Sequence, residues 1–169
     1  MKEEKNFSEI HPIPVLKDNI IWVWVQGKQA VVIDPALCDP VIKFLEKNNL
    51  RLIAILQTHH HSDHIGGTEE ILRQWPEANV IASKKDTSRI PFQTKSVIDK
   101  ERFTLMGSEV KVLEVHGHTN AHVAYFITKD INNKRPILFC GDTLFGGGCG
   151  RVFDGTIDQM YNSINKINS

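Results

Sequence analysis

Within Thr58-His59-His60-His61-Ser62-Asp63-His64-Ile65-Gly66-Gly67, four imidazoles and one carboxylate fall inside six residues. Neutral imidazole and carboxylate are ligands for divalent transition metals, so the chemistry this spacing offers is metal binding. His59 and His61 are two apart, and in extended backbone that spacing puts both side chains on one side. They can grip one ion while His60 points away. Asp63 and His64 come after the chain has turned toward a following helix, which carries them off the first ion and suggests a second. Asp63 has an alternative use as a helix cap or as a support for a ligand.

Two ions need more donors than one segment supplies. Val115-His116-Gly117-His118-Thr119-Asn120-Ala121-His122 holds three further histidines, and spacing alone does not rank them. Phe139-Cys140-Gly141-Asp142-Thr143 sets a carboxylate at the end of an apolar strand, beside a glycine that lets backbone approach closely. Asp142 could bridge two cations or merely cap a turn.

The elements that must position these residues alternate along the chain. Asn19 to Val25 and Gln29 to Ile33 read as a hairpin across Gly27-Lys28. Asp39-Pro40 predicts a helix start, with Asp39 as cap and Val41, Ile42 and Leu45 facing a core. Leu52 to Gln57 is a short apolar run, a buried strand that ends where the histidine cluster begins. Thr68 is expected to cap a helix carrying Ile71, Leu72 and Trp75 inward, stopped by Pro76. Four more strands are predicted at Asn79 to Ala82, Glu109 to Val115, His122 to Thr128 and Pro136 to Cys140. From Thr156 onward, Ile157, Met160, Tyr161, Ile164 and Ile167 recur at helical spacing and are expected in a core. The candidate ligands thus sit in loops after strands, where short connections can bring distant positions together.

Composition removes other classes. The 20 basic and 20 acidic residues cancel, and no basic run is dense enough to neutralise several phosphates, so nucleic acid is not an expected partner. Met1-Lys2-Glu3-Glu4-Lys5-Asn6 is charged, and no run approaches the roughly 20 apolar residues of a membrane span. A cytoplasmic location is the expectation. Cys38, Cys140 and Cys149 form no CxxC pair, which argues against a disulfide framework or a thiolate zinc site and for buried or half-buried free thiols. With 41% hydrophobic and 24% charged residues, one globular domain over residues 1–169 is expected.

From about Pro12 to the last residue, the chain resembles the metallo-β-lactamase superfamily and, within it, the glyoxalase II group, the hydroxyacylglutathione hydrolases. The cluster from His59 to Gly67 carries the superfamily likeness. Gly141-Asp142-Thr143-Leu144-Phe145, then Gly148-Cys149-Gly150-Arg151 and Asp154-Gly155-Thr156, are similar to glyoxalase II in particular. The resemblance implies an α/β fold, the αβ/βα sandwich of two mixed sheets with outer helices. It would be incomplete at the C-terminus, since the family's helical C-terminal domain is absent from residues 1–169. It also implies that His59, His61 and His118 hold one divalent metal, that Asp63 and His64 hold another, and that Asp142 bridges them. Zinc is foremost, with iron or manganese as alternatives. Asp63 and Asp142 would hold the nucleophilic hydroxide together with the metals. Asp34 is implied as an orienting acceptor behind the ligands, and His122 as a structural neighbour of them. Arg151 and Phe153 fall at the substrate side, Phe153 where some relatives have tyrosine, and His116 stands where the family commonly has proline. The family's last ligand histidine lies beyond the helix that starts at Thr156, so the second ion is expected to bind more weakly.

The activity so implied is hydrolysis of a glutathione thioester, S-lactoylglutathione to lactate and glutathione, in methylglyoxal detoxification. A persulfide dioxygenase with a single iron, a β-lactamase or lactonase, and a metal-binding fragment with little activity are the alternatives. Family members are monomers, and uncovered apolar surface would favour self-association of this chain.

Overall fold

The computed structural model describes residues 8–128 and 135–169. Two β-sheets stack face to face. The first runs in the order β1 (Ser8–Val15), β2 (Asn19–Gln26), β3 (Gln29–Ile33), β4 (Arg51–Leu56), β5 (Asn79–Ser83) and β6 (Lys95–Val97). It is antiparallel from β1 to β3 and parallel from β3 to β6. The second, ordered β10 (Ile137–Phe139), β9 (Val123–Ile127), β8 (Ser108–Glu114) and β7 (Arg102–Leu105), is antiparallel throughout.

The apolar runs that predicted β2 to β5 have a physical reason: the first sheet is covered on both faces. On one face Ile21, Val23, Val32 and Ile55 pack with Val41 and Leu45 of α1 (Cys38–Lys47) and Ile71 of α3 (Thr68–Gln74). On the other, Trp24, Val31, Ile33, Leu56 and Ile81 meet Val110, Val112, Val123, Tyr125 and Phe139 of the second sheet. Each such fully buried aliphatic side chain contributes roughly 1.5–3 kcal/mol, so this seam is where the sandwich gains its cohesion.

Several expectations need correction. The cap of α1 is Leu37, whose backbone is extended, and Asp39 lies inside the first turn, where its charge still suits the helix dipole. Thr68 is not a cap either: Gly67 takes that place, and the Thr68 hydroxyl accepts from Gln57 Nε2 at 2.6 Å. In α4 (Ile157–Asn168), Thr156 is the cap and forms a reciprocal capping box with Gln159. Its inward residues are Met160 and Ser163, whereas Ile157 (78% exposed) and Tyr161 (65%) face outward. The three cysteines are free, as expected, but Cys149 is exposed. Three strands escaped the sequence reading. β1 is disguised by Pro12 and Pro14, which it tolerates because it is an edge strand; two apart, both direct their missing N–H groups to the open side. β6 and β7 are too short, at 3 and 4 residues, to show periodicity.

Candidate metal centre

The histidine cluster leaves the end of β4 and the other candidates leave β8 and β10, so the site forms at one end of the seam between the sheets. His61 keeps extended backbone (φ −63°, ψ 143°) as it enters the short helix α2 (Ser62–Ile65), after which the chain turns. His59 and His61 therefore face the same way and Asp63 and His64 diverge. His118 arrives in the loop between β8 and β9. There Gly117 has φ 142° and lies so close to α4 that a Cβ would be 2.5 Å from Met160 Cα. Asp142 arrives in the 3-10 turn Gly141–Thr143 after β10. Gly141 sits at φ 48°, and a Cβ there would strike Thr58 Oγ1 at 2.4 Å and His122 at 2.8 Å. Only glycine brings Asp142 this near.

Three imidazole nitrogens converge. His59 Nε2 is 3.1 Å from His61 Nδ1, His118 Nε2 is 3.2 Å from His59 Nε2, and His118 Nε2 is 3.0 Å from His61 Nδ1. A tetrahedral zinc ion with bonds of roughly 2.0–2.1 Å would span edges of about 3.4 Å, close to this triangle. The far side of each ring decides which nitrogen carries the proton. His118 Nδ1 lies 2.6 Å from the Arg151 carbonyl, which can only accept, so Nδ1 is the N–H and Nε2 presents a lone pair. Thr58 Oγ1 donates to Asp34 Oδ2 at 2.7 Å, so it accepts from His59 Nδ1 at 3.0 Å, and His59 Nε2 is likewise a lone pair. Burial foremost, and then the neighbouring imidazoles, push His59 well below its ordinary pKa; His61 is lowered for the same reasons. His59 and His118 thus each turn Nδ1 outward to an oxygen and Nε2 inward, the orientation that metal ligation demands.

Beside it lies a second group of different character. His64 Nε2 is 3.2 Å from Asp142 Oδ1 and 3.7 Å from Asp63 Oδ2, while its Nδ1 is 3.0 Å from Asp34 Oδ2. Burial alone would lower the His64 pKa, but the Asp34 and Asp142 carboxylates outweigh it and raise it to about 10. Asp142 also turns Oδ2 toward His118 Nε2 at 3.3 Å, one oxygen to each group. Burial raises its pKa, yet His64, His118 and His122 together hold it below the usual carboxylate range. Asp63, with a side chain 46% exposed, accepts from Asn19 Nδ2 at 2.9 Å.

Asp34 sits behind both groups. Its Oδ1 accepts from Thr58 N and its Oδ2 serves Thr58 Oγ1 and His64, so although it lies within 4.8 Å of the His59 and His64 nitrogens, its oxygens are already engaged. His122 is fully buried, stacks on His59 at 4.7 Å, and accepts from Asp142 N at 3.1 Å. Burial first, then His118, lowers its pKa to about 3. His116 faces elsewhere, toward Glu114 Oε2 at 3.2 Å. The sequence reading missed Thr58 and Asn19, whose roles are visible only once the rings are placed. It also missed the Arg151 carbonyl, a backbone atom with no residue-type signal.

The groups open on a cleft of about 830 Å³ whose apolar wall includes Ile20, Trp22, Leu138 and Phe145. Arg151 and Phe153 also line it, Phe153 with its ring edge-on to His61 and His118 at 5.0 and 5.2 Å.

Residues 14–167 match the family described as the Metallo-beta-lactamase superfamily. A hydroxyacylglutathione hydrolase of Prochlorococcus marinus (strain MIT 9211) is 58% identical over 170 residues, covering all of this chain and 67% of the relative. That of strain NATL1A is 59% identical over 169 residues with the same coverage. The chain therefore spans about two thirds of the length of these curated relatives. Among solved structures, a metallo-beta-lactamase from Staphylococcus aureus subsp. aureus COL superposes with a TM-score of 0.80 at 24% identity, over 97% of this chain and 52% of that one. In fold and in sequence, the chain belongs to the metallo-beta-lactamase superfamily and, within it, to the hydroxyacylglutathione hydrolases.

Proposed function

We propose that the chain is a metal-dependent hydrolase of glutathione thioesters, S-lactoylglutathione foremost. His59, His61 and His118 would hold one divalent ion, Asp63 and His64 a second, and Asp142 would bridge them. The observation that carries the reading is Asp142, which offers one oxygen to each histidine group at the floor of a small-molecule cleft. Bound there, such ions supply water acidified from a pKa of about 15.7 toward roughly 7 and an electrophile for a carbonyl oxygen. Zinc suits the imidazole and carboxylate donors best, and iron or manganese would fit the same set.

The remaining residues have separable tasks. Asp34, directly and through Thr58, fixes His64 and His59 as donors of outward protons. Arg151 is the one guanidinium among the described lining residues and suits a glutathione carboxylate. Phe153 shields the triangle from bulk water on the cleft side. Asp142 is held as a carboxylate and His122 as a neutral ring, so neither is set up to protonate a leaving group. A thioester needs none, because a thiol with a pKa of about 8.5 leaves readily as thiolate. The second ion is expected to bind more weakly, since it must displace the proton on His64 and meets a half-exposed Asp63.

The test is turnover of S-lactoylglutathione by the metal-loaded chain, with chelator-treated chain beside it. Nitrocefin hydrolysis and oxygen uptake with glutathione persulfide are the contrasting assays. Chelator-sensitive release of glutathione from the thioester is expected; turnover confined to either contrasting substrate would replace the reading.

A further inference from the structure

Away from the cleft, a chain of polar and charged side chains joins the two segments that carry the histidine triangle. Asp86, fully buried at the end of the 3-10 turn Lys84–Asp86 after β5, accepts from Arg89 Nε at 2.5 Å through Oδ1. Its Oδ2 has no hydrogen-bond partner among the described residues and faces at 3.4 Å the Nδ1 of His60, which stands between His59 and His61 in the sequence. Arg89 Nη1 donates to Asp154 Oδ2 at 2.7 Å. Asp154 Oδ1 in turn accepts from the Asn120 backbone N at 2.6 Å, and the Asn120 amide donates to the Asp154 carbonyl. Asn120 lies two residues after His118, and Asp154 directly follows Phe153, whose N–H donates to the His118 carbonyl at 3.0 Å. Arg151, whose carbonyl orients the His118 ring, is on the same segment. None of His60, Asp86, Arg89, Asn120 and Asp154 lines the cleft.

A fully buried carboxylate is costly unless paired, and an apolar residue would fill the same volume more cheaply. What the pair supplies is registration: His60 fixes the midpoint of the His59–His61 segment, and Asp154 with Asn120 fixes the loop of His118 against it. We propose that Asp86 and Arg89 are positioning residues for the His59–His61–His118 triangle, setting its nitrogen spacing from outside the site. The proposal rests on reading that triangle as the ligands of the first ion.

The test uses the full chain with cobalt(II) as probe, in native form and as R89M, R89K, D154N and H118A. First-ion affinity is read by chelator competition, ligand geometry by the visible cobalt spectrum, and folding by thermal melting of the metal-free protein. R89M and D154N are expected to weaken the first ion by about 10- to 100-fold and to alter the spectrum, with R89K recovering part of the loss. D154N, changed at a partly exposed position, keeps the test open if R89M does not fold. Folded R89M or D154N with native affinity and spectrum would overturn the proposal and leave the ligand reading intact. Native affinity in H118A would instead overturn the ligand reading itself.

Discussion

The two halves of the site, a few ångströms apart and sharing Asp34 and Asp142, are prepared for a cation in opposite ways. In the His59–His61–His118 half, outward hydrogen bonds orient His59 and His118, and burial lowers the pKa of His59 and His61. The His64 half is acidic, and in the metal-free chain its cation is a proton on the imidazole between Asp34 and Asp142. On the proposed ligand set, the first half would take an ion directly, while the other would exchange a proton for it. Similar side-chain types in adjacent positions would thus acquire different affinities and pH dependences through what stands behind them.

The most damaging way to erase the difference is to remove what the halves share. Asp142→Ala is expected to abolish binding of both ions, read by mass-resolved metal stoichiometry, and to bring thioester hydrolysis to background. Retention of one tight ion would mean that Asp142 belongs to one half only. Next comes Asp34→Ala, which should weaken both ions by about 10- to 100-fold, whereas Thr58→Val should weaken only the first, because His64 bonds Asp34 directly. The pH dependence separates the halves without mutation. An imidazole whose pKa rises from 6.5 to about 10 on folding stabilises the metal-free fold fully below pH 6.5, and that contribution is lost as pH climbs toward 10. Second-ion affinity should accordingly rise by about tenfold per pH unit within that window, with the first ion nearly flat, as titration calorimetry at several pH values would show. The smallest effect is expected from Asn19→Ala, which removes one donor to half-exposed Asp63. It should cost roughly 1 kcal/mol, about fivefold in second-ion affinity, and leave the first ion unchanged.

How much of this was legible in the sequence follows the same division between what side chains announce and what backbone supplies. Strands β2 to β5 were readable because both their faces are buried, and α4 because its apolar residues recur at helical spacing from Thr156. The candidate ligands were readable as types and spacing in the first cluster, and the structure brings His59 and His61 together with His118. His116, His118 and His122 were not separable by spacing, because where each ring lies depends on tertiary contacts of that loop, such as Gly117 at φ 142° against Met160. The proton positions were illegible for a further reason: one depends on the carbonyl of Arg151, 33 residues away from His118. Asp39 and Thr68 misled because each has cap chemistry but stands one or two places inside its helix, where Leu37 and Gly67 already hold the cap position.

The placement of the site at the end of the inter-sheet seam also governs when it can exist. His59 and His118 are 59 residues apart and lie in loops that follow strands of different sheets, so their rings meet only when the two sheets are docked. A nascent or unfolding chain offers an ion just the local donors from His59 to His64, without the third nitrogen or the bridging carboxylate. Metal held by the proposed ligands would therefore favour the finished sandwich and stabilise it by mass action. It would act as a latch across a 59-residue loop closure rather than as a nucleus.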